Sequence, residues 1–233
     1  MTTVSVLIPA YNEAERIAST IRAIQTINGI TEIVVVDDGS TDGTAQIAEQ
    51  AGATTVFVKE NGGKGSALNI AAKLAIGDIL LLLDADLGDT ATEAACLLPP
   101  VTSGQADMSI ATFPVIPGKG GGVGLVVRVS RNGISRLTGR VMQAPLSGQR
   151  AITRALLTAT EGFAEGWGVE VALTVRALWA NLRVVEIPTS MSHRVTGRSR
   201  EAISHRAAQL VAALRTLNNL KQLKSAGKAE PRS

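Results

Sequence analysis

The sequence predicts an α/β fold in which helices cover both faces of a mostly parallel central sheet. Four short runs rich in apolar and β-branched residues, over 4–8, 32–36, 54–58 and 79–83, are each followed by polar or turn-forming residues. Segments with helical character separate these runs, and strands that alternate with helices are typical of a parallel sheet. The runs are apolar at most positions, as expected of strands that are buried on both faces.

The first half of the chain predicts three helices between these four strands. Acidic residues at 12–15 open the first helix, whose isoleucines recur on one face. Turn and capping residues at 40–44 precede a second helix that continues to Gln50. The alanine-rich segment 64–76 predicts the third helix.

Beyond Asp86 the order of elements changes. A helix over 90–98 is expected to end at Pro99 and Pro100, and a glycine-rich loop is expected over 114–124. The remaining predicted elements are a strand at 106–112, a helix at 123–137, a helix at 169–180, a strand at 182–187 and a long basic amphipathic helix at 198–224.

Composition limits the classes of protein that fit. The chain has 233 residues, of which 45% are hydrophobic and 18% charged, so it is globular rather than disordered. Its single cysteine, Cys96, excludes an intramolecular disulfide and fits a reducing compartment. The longest purely aliphatic run, 79–83, is far too short for a membrane helix, and a strand pattern begins where a secretory signal would lie. We therefore expect a cytoplasmic protein.

The net charge of +3 is unevenly distributed. Through His193 there are 14 basic and 18 acidic residues, whereas the remaining segment has 9 basic and 2 acidic ones. Such a basic segment favours an anionic partner, such as a phosphate, a membrane face or nucleic acid. Aromatic residues make up only 3% of the chain, which leaves little for base stacking and argues against a nucleic-acid partner.

Acidic side chains follow three of the predicted strands. Because ligands bind at the carboxyl ends of strands in an open α/β sheet, Glu13, Asp38, Asp84 and Asp86 are expected to lie around one crevice. An i, i+2 pair in extended chain points both carboxylates the same way, so Asp84 and Asp86 would suit Mg²⁺ or Mn²⁺. The alternative is a solvated turn or a helix cap, which an isolated D-x-D pair does not exclude.

A glycine-rich turn, NGGKG over 61–65, lies at the start of the third helix. Its backbone N–H groups and the helix N-terminus would suit a phosphate, with Lys64 as a point charge. The alternative is a flexible helix start. The spacing is not that of a Walker A loop, and no G-x-G-x-x-G follows the first strand, which argues against a dinucleotide oxidoreductase.

Four segments together are far more specific than any one of them. They are SVLIPAYNE at 5–13, IVVVDDGSTD at 33–42, NGGKG at 61–65 and DILLLLDAD at 78–86. In this order they resemble the family 2 glycosyltransferases of the GT-A fold, among them the polyprenyl- and dolichyl-phosphate sugar synthases and related soluble members. The strong match covers roughly the first 90 residues, and SGQR at 147–150, GWGVE at 166–170 and His193–Arg194 match more loosely.

The resemblance implies a domain organisation and a set of site residues. Residues 1–197 would form the catalytic domain, with the nucleotide sugar bound by 1–90 and the acceptor by 91–197. A basic amphipathic helix over 198–226 and a frayed tail over 227–233 would follow. The residues implied to bind the nucleotide sugar are Pro9, Ala10, Tyr11, Glu13, Asp38, Lys64, Asp84 and Ala85. Among these, Glu13 would bind the ribose hydroxyls and Asp38 the base.

The resemblance also implies a metal site. Asp86 would ligate Mg²⁺ or Mn²⁺ directly, with Asp84 beside it, and His193 would complete the site. The metal would neutralise charge on the departing nucleoside diphosphate. For His193 the alternative is an ordinary structural or surface histidine.

Glu170 is the candidate general base for an acceptor hydroxyl, with Glu161 and Glu165 as lesser candidates. The alternative is that Glu170 only begins a helix, where the helix dipole favours an acid. Three arginines, Arg150, Arg194 and Arg198, would bind an acceptor phosphate, or else belong to a solvated basic face.

We therefore expect an inverting glycosyltransferase that moves a hexose from a nucleotide diphosphate sugar, first of all UDP-glucose, to a phosphate-bearing acceptor such as polyprenyl phosphate. A soluble transferase for a small hydroxylated or phosphorylated acceptor is the alternative. A non-catalytic nucleotide-sugar-binding protein is disfavoured because Lys64, Asp84 and Asp86 are all present. The C-terminal helix would contact a membrane surface peripherally, its own domain or a second copy in a homodimer.

Overall fold

A computed structural model describes residues 2–113, 123–192 and 200–226. Its centre is a seven-stranded sheet in the order β3-β2-β1-β4-β6-β5-β7. The strands are β1 (Val4–Ala10), β2 (Ile30–Asp37), β3 (Thr55–Val58), β4 (Ile79–Leu82), β5 (Met108–Thr112), β6 (Arg150–Thr153) and β7 (Val184–Pro188). β6 runs antiparallel to β4 and β5, and the other neighbouring strands are parallel. The structure thus confirms the predicted α/β class.

The helices lie on both faces of this sheet. They are α1 (Ile17–Gln25), α2 (Thr44–Gln50), α3 (Lys64–Leu74), α4 (Leu98–Thr102), α5 (Val123–Thr138), α6 (Arg154–Ala159), α7 (Val169–Trp179) and α8 (Arg200–Ser225), with 3₁₀ helices at Gly88–Leu97 and Gly166–Gly168. In β1, Val6 and Ile8 belong to one buried cluster and Leu7 to a second one on the opposite face. Burial on both faces explains why the first strands are apolar at consecutive positions.

Two predicted boundaries were wrong. The first helix begins at Ile17 rather than at 12–15, because Asn12 has a positive φ of 55° and lies in a turn. The predicted helix over 90–98 does not end at the prolines: the 3₁₀ helix continues directly into α4, whose first turn contains Pro99 and Pro100. Proline is tolerated in a first turn because the N–H it lacks has no partner there.

Strand β6 and the short helix α6 were not predicted from the sequence. β6 has four residues and begins with Arg150, so it does not form an apolar run. Its antiparallel position between β4 and β5 interrupts the parallel order that the first half predicts.

The described part of α8 packs on its own domain. Leu220 is buried in the second cluster, Leu217 and Leu223 pack against it, and Lys224 Nζ donates to the carbonyl oxygen of Leu137 at 2.7 Å. Val211 and Leu214 stay exposed. Within the described ranges, no helix combines the length and apolar character needed to cross a membrane.

Several predictions fall outside the described residues. They concern the loop over 114–122, the residues His193, Arg194 and Arg198, and the tail over 227–233.

Candidate active site

A cavity of about 580 Å³ opens at the carboxyl ends of β1, β2 and β4. Ten of the predicted site residues line it: Pro9, Ala10, Tyr11, Glu13, Asp38, Lys64, Asp84, Ala85, Asp86 and Glu170. Asn61, Gly63, Val126 and Leu146 complete the lining, and none of these four was assigned individually from the sequence. The structure therefore gathers residues from the ends of β1, β2 and β4, from the turn that follows β3 and from the start of α7 around one space, while their roles stay predictions.

Asp38 is held by the glycine-rich turn that follows β3. Its Oδ1 accepts hydrogen bonds from the Lys59 ammonium and from the backbone N–H of Gly62 at 2.9 Å, and its Oδ2 accepts one from Gly63 N–H at 2.7 Å. In this structure the N–H groups of Gly62 and Gly63, which were expected to suit a phosphate, donate to Asp38. Because the turn donates to a buried carboxylate, it fixes Asp38 at the cavity wall.

Lys64 lies between two carboxylates from distant parts of the chain. Its ammonium nitrogen is 2.7 Å from Asp84 Oδ1 and 2.8 Å from Glu170 Oε1. Burial disfavours the charge on Lys64, but attraction to Asp84 and Glu170 outweighs it and raises the pKa of the ammonium above its ordinary value. The three side chains therefore form one ionised cluster, with Lys64 neutralising two acids in part.

The segment that precedes β6 supports this cluster. Gln149 is fully buried; its Nε2 donates to Asp84 Oδ2 at 2.6 Å and its Oε1 accepts from Asp84 N–H at 2.9 Å. A side chain at Gly148 would meet both the Lys64 ammonium and the Asp84 carboxylate, so glycine allows the backbone to approach them closely. Neither residue was assigned a role from the sequence, although both lie in the quoted SGQR segment.

The turn that carries Asp84 and Asp86 lies beyond the strand. β4 ends at Leu82, so the extended-chain argument for two carboxylates pointing the same way does not apply. The backbone is held instead by side chains of α1 and its start: the carbonyl of Ala85 accepts from Thr20 Oγ1 at 2.8 Å, and that of Asp86 from Arg16 Nη1 at 3.1 Å. Both carboxylates still border the cavity.

These two acids fit a divalent cation in their chemistry. Carboxylate oxygens suit Mg²⁺ and Mn²⁺, which take their remaining ligands from phosphate and water. Both oxygens of Asp84 accept hydrogen bonds, one from Lys64 and one from Gln149. In the part of the chain that the structure describes, no group of three or more His, Cys, Asp or Glu side chains could hold a metal ion by itself. The predicted third ligand, His193, lies outside that part.

Three other predicted side chains are not at the cavity. Arg150, expected to bind an acceptor phosphate or to belong to a solvated face, is only 1% exposed and lies inside the domain. Burial lowers the pKa of its guanidinium to about 10, although attraction to Glu170 and Glu186 acts in the opposite direction and raises this pKa. Glu161 and Glu165 are exposed and do not line the cavity.

The chain resembles proteins of known class. The family model described as glycosyl transferase family 2 matches residues 5–157. Glycosyltransferase AglJ of Haloferax volcanii is 33% identical over 199 residues, which cover 83% of this chain and 64% of AglJ. Glucosyl-3-phosphoglycerate synthase of Mycolicibacterium paratuberculosis is 34% identical over 196 residues, covering 74% of this chain and 59% of the synthase. The chain thus spans about three fifths of the length of these relatives.

Solved structures share its architecture. Glucosyl-3-phosphoglycerate synthase from Mycobacterium tuberculosis, in complex with Mn²⁺, UDP-glucose and phosphoglyceric acid, superposes with a TM-score of 0.78 at 28% identity, over 94% of this chain and 79% of that one. The complex of the same synthase with Mg²⁺ and UDP gives a TM-score of 0.75 over 93% of this chain and 79% of the synthase chain. This similarity confirms the predicted GT-A type of α/β fold.

Proposed function

The chain belongs to glycosyl transferase family 2, and from this membership we propose that it transfers a hexose from a nucleotide diphosphate sugar to a phosphate-bearing acceptor. The observation that carries the proposal is the cavity in which Lys64 contacts both Asp84 and Glu170, with Asp86 in the same wall. Its volume of about 580 Å³ is in the usual range for a ligand of this size.

UDP-glucose is the donor we propose. The mycobacterial synthase that superposes on this chain was crystallised with UDP-glucose and Mn²⁺. In this chain, the Asp38 carboxylate that pairs with Lys59 offers hydrogen-bond acceptors, and the N3–H of uracil would supply a donor. Tyr11, half exposed at the cavity, offers an aromatic face for the base, and Glu13 offers acceptors for ribose hydroxyls.

We assign the metal to Asp86, with Asp84 beside it. Mg²⁺ or Mn²⁺ bound there would neutralise the negative charge that grows on the departing diphosphate. Gln149 and Lys64 orient the Asp84 carboxylate, whereas Arg16 and Thr20 hold the backbone of the turn, so the chain presents both acids in a fixed arrangement.

The ion pair at Glu170 favours an acceptor that is already an anion. A general base must take a proton, and Glu170 shares its negative charge with Lys64 at 2.8 Å. An acceptor phosphate needs no base, whereas a hydroxyl acceptor would require Glu170 to act as one. Phosphoglyceric acid and glycerol 3-phosphate, which are bound in structures of the mycobacterial synthase, carry both a phosphate and a hydroxyl group, so they are compatible with either kind of nucleophile.

A polyprenyl phosphate is the second candidate acceptor, and one observation favours it. Helix α5 exposes Leu125 next to Val126, which lines the cavity, and α8, which packs on α5, exposes Val211 and Leu214. Such side chains would contact a prenyl chain or a lipid surface, in peripheral membrane contact, while the phosphate enters the cavity.

The test begins with ligand binding and then turnover. A thermal-shift panel of nucleoside diphosphates, with and without Mn²⁺, should give a metal-dependent shift with UDP. Release of UDP from UDP-glucose is then measured with 3-phosphoglycerate, glycerol 3-phosphate or a short polyprenyl phosphate in detergent. Analysis of the product's anomeric configuration by NMR tests the predicted inversion, which an α-linked product from UDP-α-glucose would refute.

Two variants make this test specific. Asp86→Ala should abolish metal-dependent turnover while its circular dichroism spectrum stays that of the parent protein. Asp89→Ala removes a nearby exposed carboxylate that does not line the cavity, so it should stay active. Full activity of Asp86→Ala would refute the metal assignment, and no binding of any nucleotide would refute the transferase proposal itself.

A further inference from the structure

Arg150 lies inside the domain, directly beneath the ionised cluster. It pairs with Leu82 of β4 and Ile110 of β5, at the centre of the sheet, and only 1% of its surface is exposed. Among the described residues, no carboxylate lies within ion-pair distance of it, and its Nη2 has no hydrogen-bond partner. A buried cation without an ion-pair partner costs several kcal/mol, so an apolar residue of similar size would be cheaper here.

The hydrogen bonds of Arg150 connect the two sides of the cluster. Its Nε donates to the carbonyl oxygen of Ser147 at 2.8 Å, at the start of the segment in which Gly148 and Gln149 contact Asp84. Its Nη1 donates at 2.9 Å to Thr174 Oγ1 in α7.

Thr174 passes this connection to Glu170. Its hydroxyl is fully buried, accepts from Arg150 and donates to the carbonyl oxygen of Glu170 at 2.8 Å. The first turn of α7 is therefore attached to β6 through one hydroxyl group. Two side chains, Arg150 and Thr174, link the segment that holds Asp84 to the backbone that carries Glu170.

We propose that Arg150 is a positioning residue, which holds Glu170 and the 147–149 segment at the spacing that lets Lys64 contact Asp84 and Glu170 together. The expected effect of Arg150 on catalysis rests on the proposed function, whereas its expected effect on the structure does not. In this role Arg150 makes no contact with the substrate. This role explains why a guanidinium whose burial is destabilising lies at a place from which one planar group can donate hydrogen bonds to both a loop and a helix.

The experiment compares two variants that remove this connection. Arg150→Met removes the charge and the hydrogen bonds to Ser147 and Thr174, together with a weaker one from Nη1 to Met108 Sδ at 3.6 Å, but keeps a long unbranched side chain. Thr174→Val removes only the hydroxyl and keeps the shape, which guards against a failure of Arg150→Met to fold. Thr174→Ser keeps the hydroxyl. Thr160→Val is a matched control, because Thr160 is also buried and donates to a carbonyl four residues earlier, at Leu156.

Three quantities are measured for each variant: kcat with UDP-glucose, the Kd for UDP in Mn²⁺, and backbone hydrogen exchange by mass spectrometry. We expect Arg150→Met and Thr174→Val to lower kcat at least tenfold, to change the Kd for UDP less than twofold, and to speed exchange at least fivefold in peptides covering 169–174. Thr174→Ser and Thr160→Val should match the parent protein. The double variant should be no worse than Arg150→Met alone, since both changes break one connection.

Unchanged kcat together with unchanged exchange at 169–174 would overturn the proposal. So would a parallel loss of kcat and UDP affinity with faster exchange throughout the sheet, because that is the result of general destabilisation. If the parent protein turns over no donor, the transferase proposal fails, and hydrogen exchange at 169–174 still decides whether Arg150 positions α7.

Discussion

Replacing Lys64 by methionine should convert the ionised cluster into a pair of repelling acids. The substitution keeps the length of the side chain and removes the charge that Asp84 and Glu170 share. The two carboxylate oxygens each lie within 2.8 Å of the same nitrogen, so they are no more than about 5.5 Å apart.

The size of the effect follows from that separation. Two unit charges about 5.5 Å apart repel by about 3 kcal/mol at an effective dielectric constant of about 20. The same energy corresponds to roughly two pKa units, which one carboxylate can relieve by taking up a proton. Loss of about 3 kcal/mol at neutral pH corresponds to a fall in Tm of roughly 6 to 12 °C for a chain of this length.

The pH dependence has a definite sign. In the variant, one carboxylate of the folded protein has a raised pKa, so the folded state binds more protons than the unfolded state between about pH 4 and 6.5. The stability of the variant should therefore fall as pH rises through this range. In the parent protein the raised pKa of Lys64 affects stability in a different pH range. Its contribution to the free energy of unfolding is fully present below about pH 10.5 and is lost as pH rises through the pKa of Lys64 in the folded state.

Urea unfolding at pH 5, 6, 7 and 8 measures this difference between variant and parent protein. We expect the difference to be about 1 kcal/mol at pH 5 and to reach about 3 kcal/mol at pH 8. The double variant Lys64→Met/Glu170→Gln removes one of the two charges and should lose most of this pH dependence. A difference that is the same at every pH, or that survives in the double variant, would refute the cluster as described.

Three further predictions concern the C-terminal helix. Leu220→Ala should lower the free energy of unfolding by about 2–5 kcal/mol, because Leu220 is only 2% exposed. Leu214 is 49% exposed, so Leu214→Ala should change that free energy by less than about 0.5 kcal/mol. Equal effects of the two substitutions in urea titrations would contradict the packing of α8. Gly168→Ala should destabilise the protein, since its methyl group would overlap the Thr216 hydroxyl, and Thr216→Gly should recover part of the loss in Tm. Deletion of 198–233 should cause aggregation in size-exclusion chromatography without changing liposome binding, whereas weakened liposome binding by a folded truncated protein would favour a membrane role.

The first half of the fold could be predicted because its signals are local. Each of the first four strands is a short run of apolar or β-branched residues, and the polar residues that follow mark the sheet edge. β6 carried no such signal, since it has four residues and begins with the buried Arg150. Only long-range pairing with β4 and β5 makes that segment a strand, and a single sequence does not contain this information.

The composition of the cavity was predictable to a similar degree. Acids at strand ends gave Asp38, Asp84 and Asp86, and Glu170 came from a resemblance in the later half of the chain. The hydrogen-bond partners were not predictable, because sequence spacing does not say which groups face each other. Gly62 and Gly63 of the glycine-rich turn donate to Asp38, and Lys64 is shared by two acids that lie 86 residues apart in the chain.

The charges around the cavity bear on how an anionic donor could bind there. Among the lining residues that the structure describes, Lys64 is basic and five are acidic: Glu13, Asp38, Asp84, Asp86 and Glu170. Lys64 is already paired with two of these acids, and Lys59 is paired with a third, Asp38. Because acids outnumber bases among these described lining residues, a cation that accompanies the diphosphate would lower the repulsion between the acids and the phosphates. The divalent metal in our proposal would reduce this repulsion, because an ion bound at Asp86 attracts the phosphates. The same acids would then favour a metal-bound nucleotide over a nucleotide without metal.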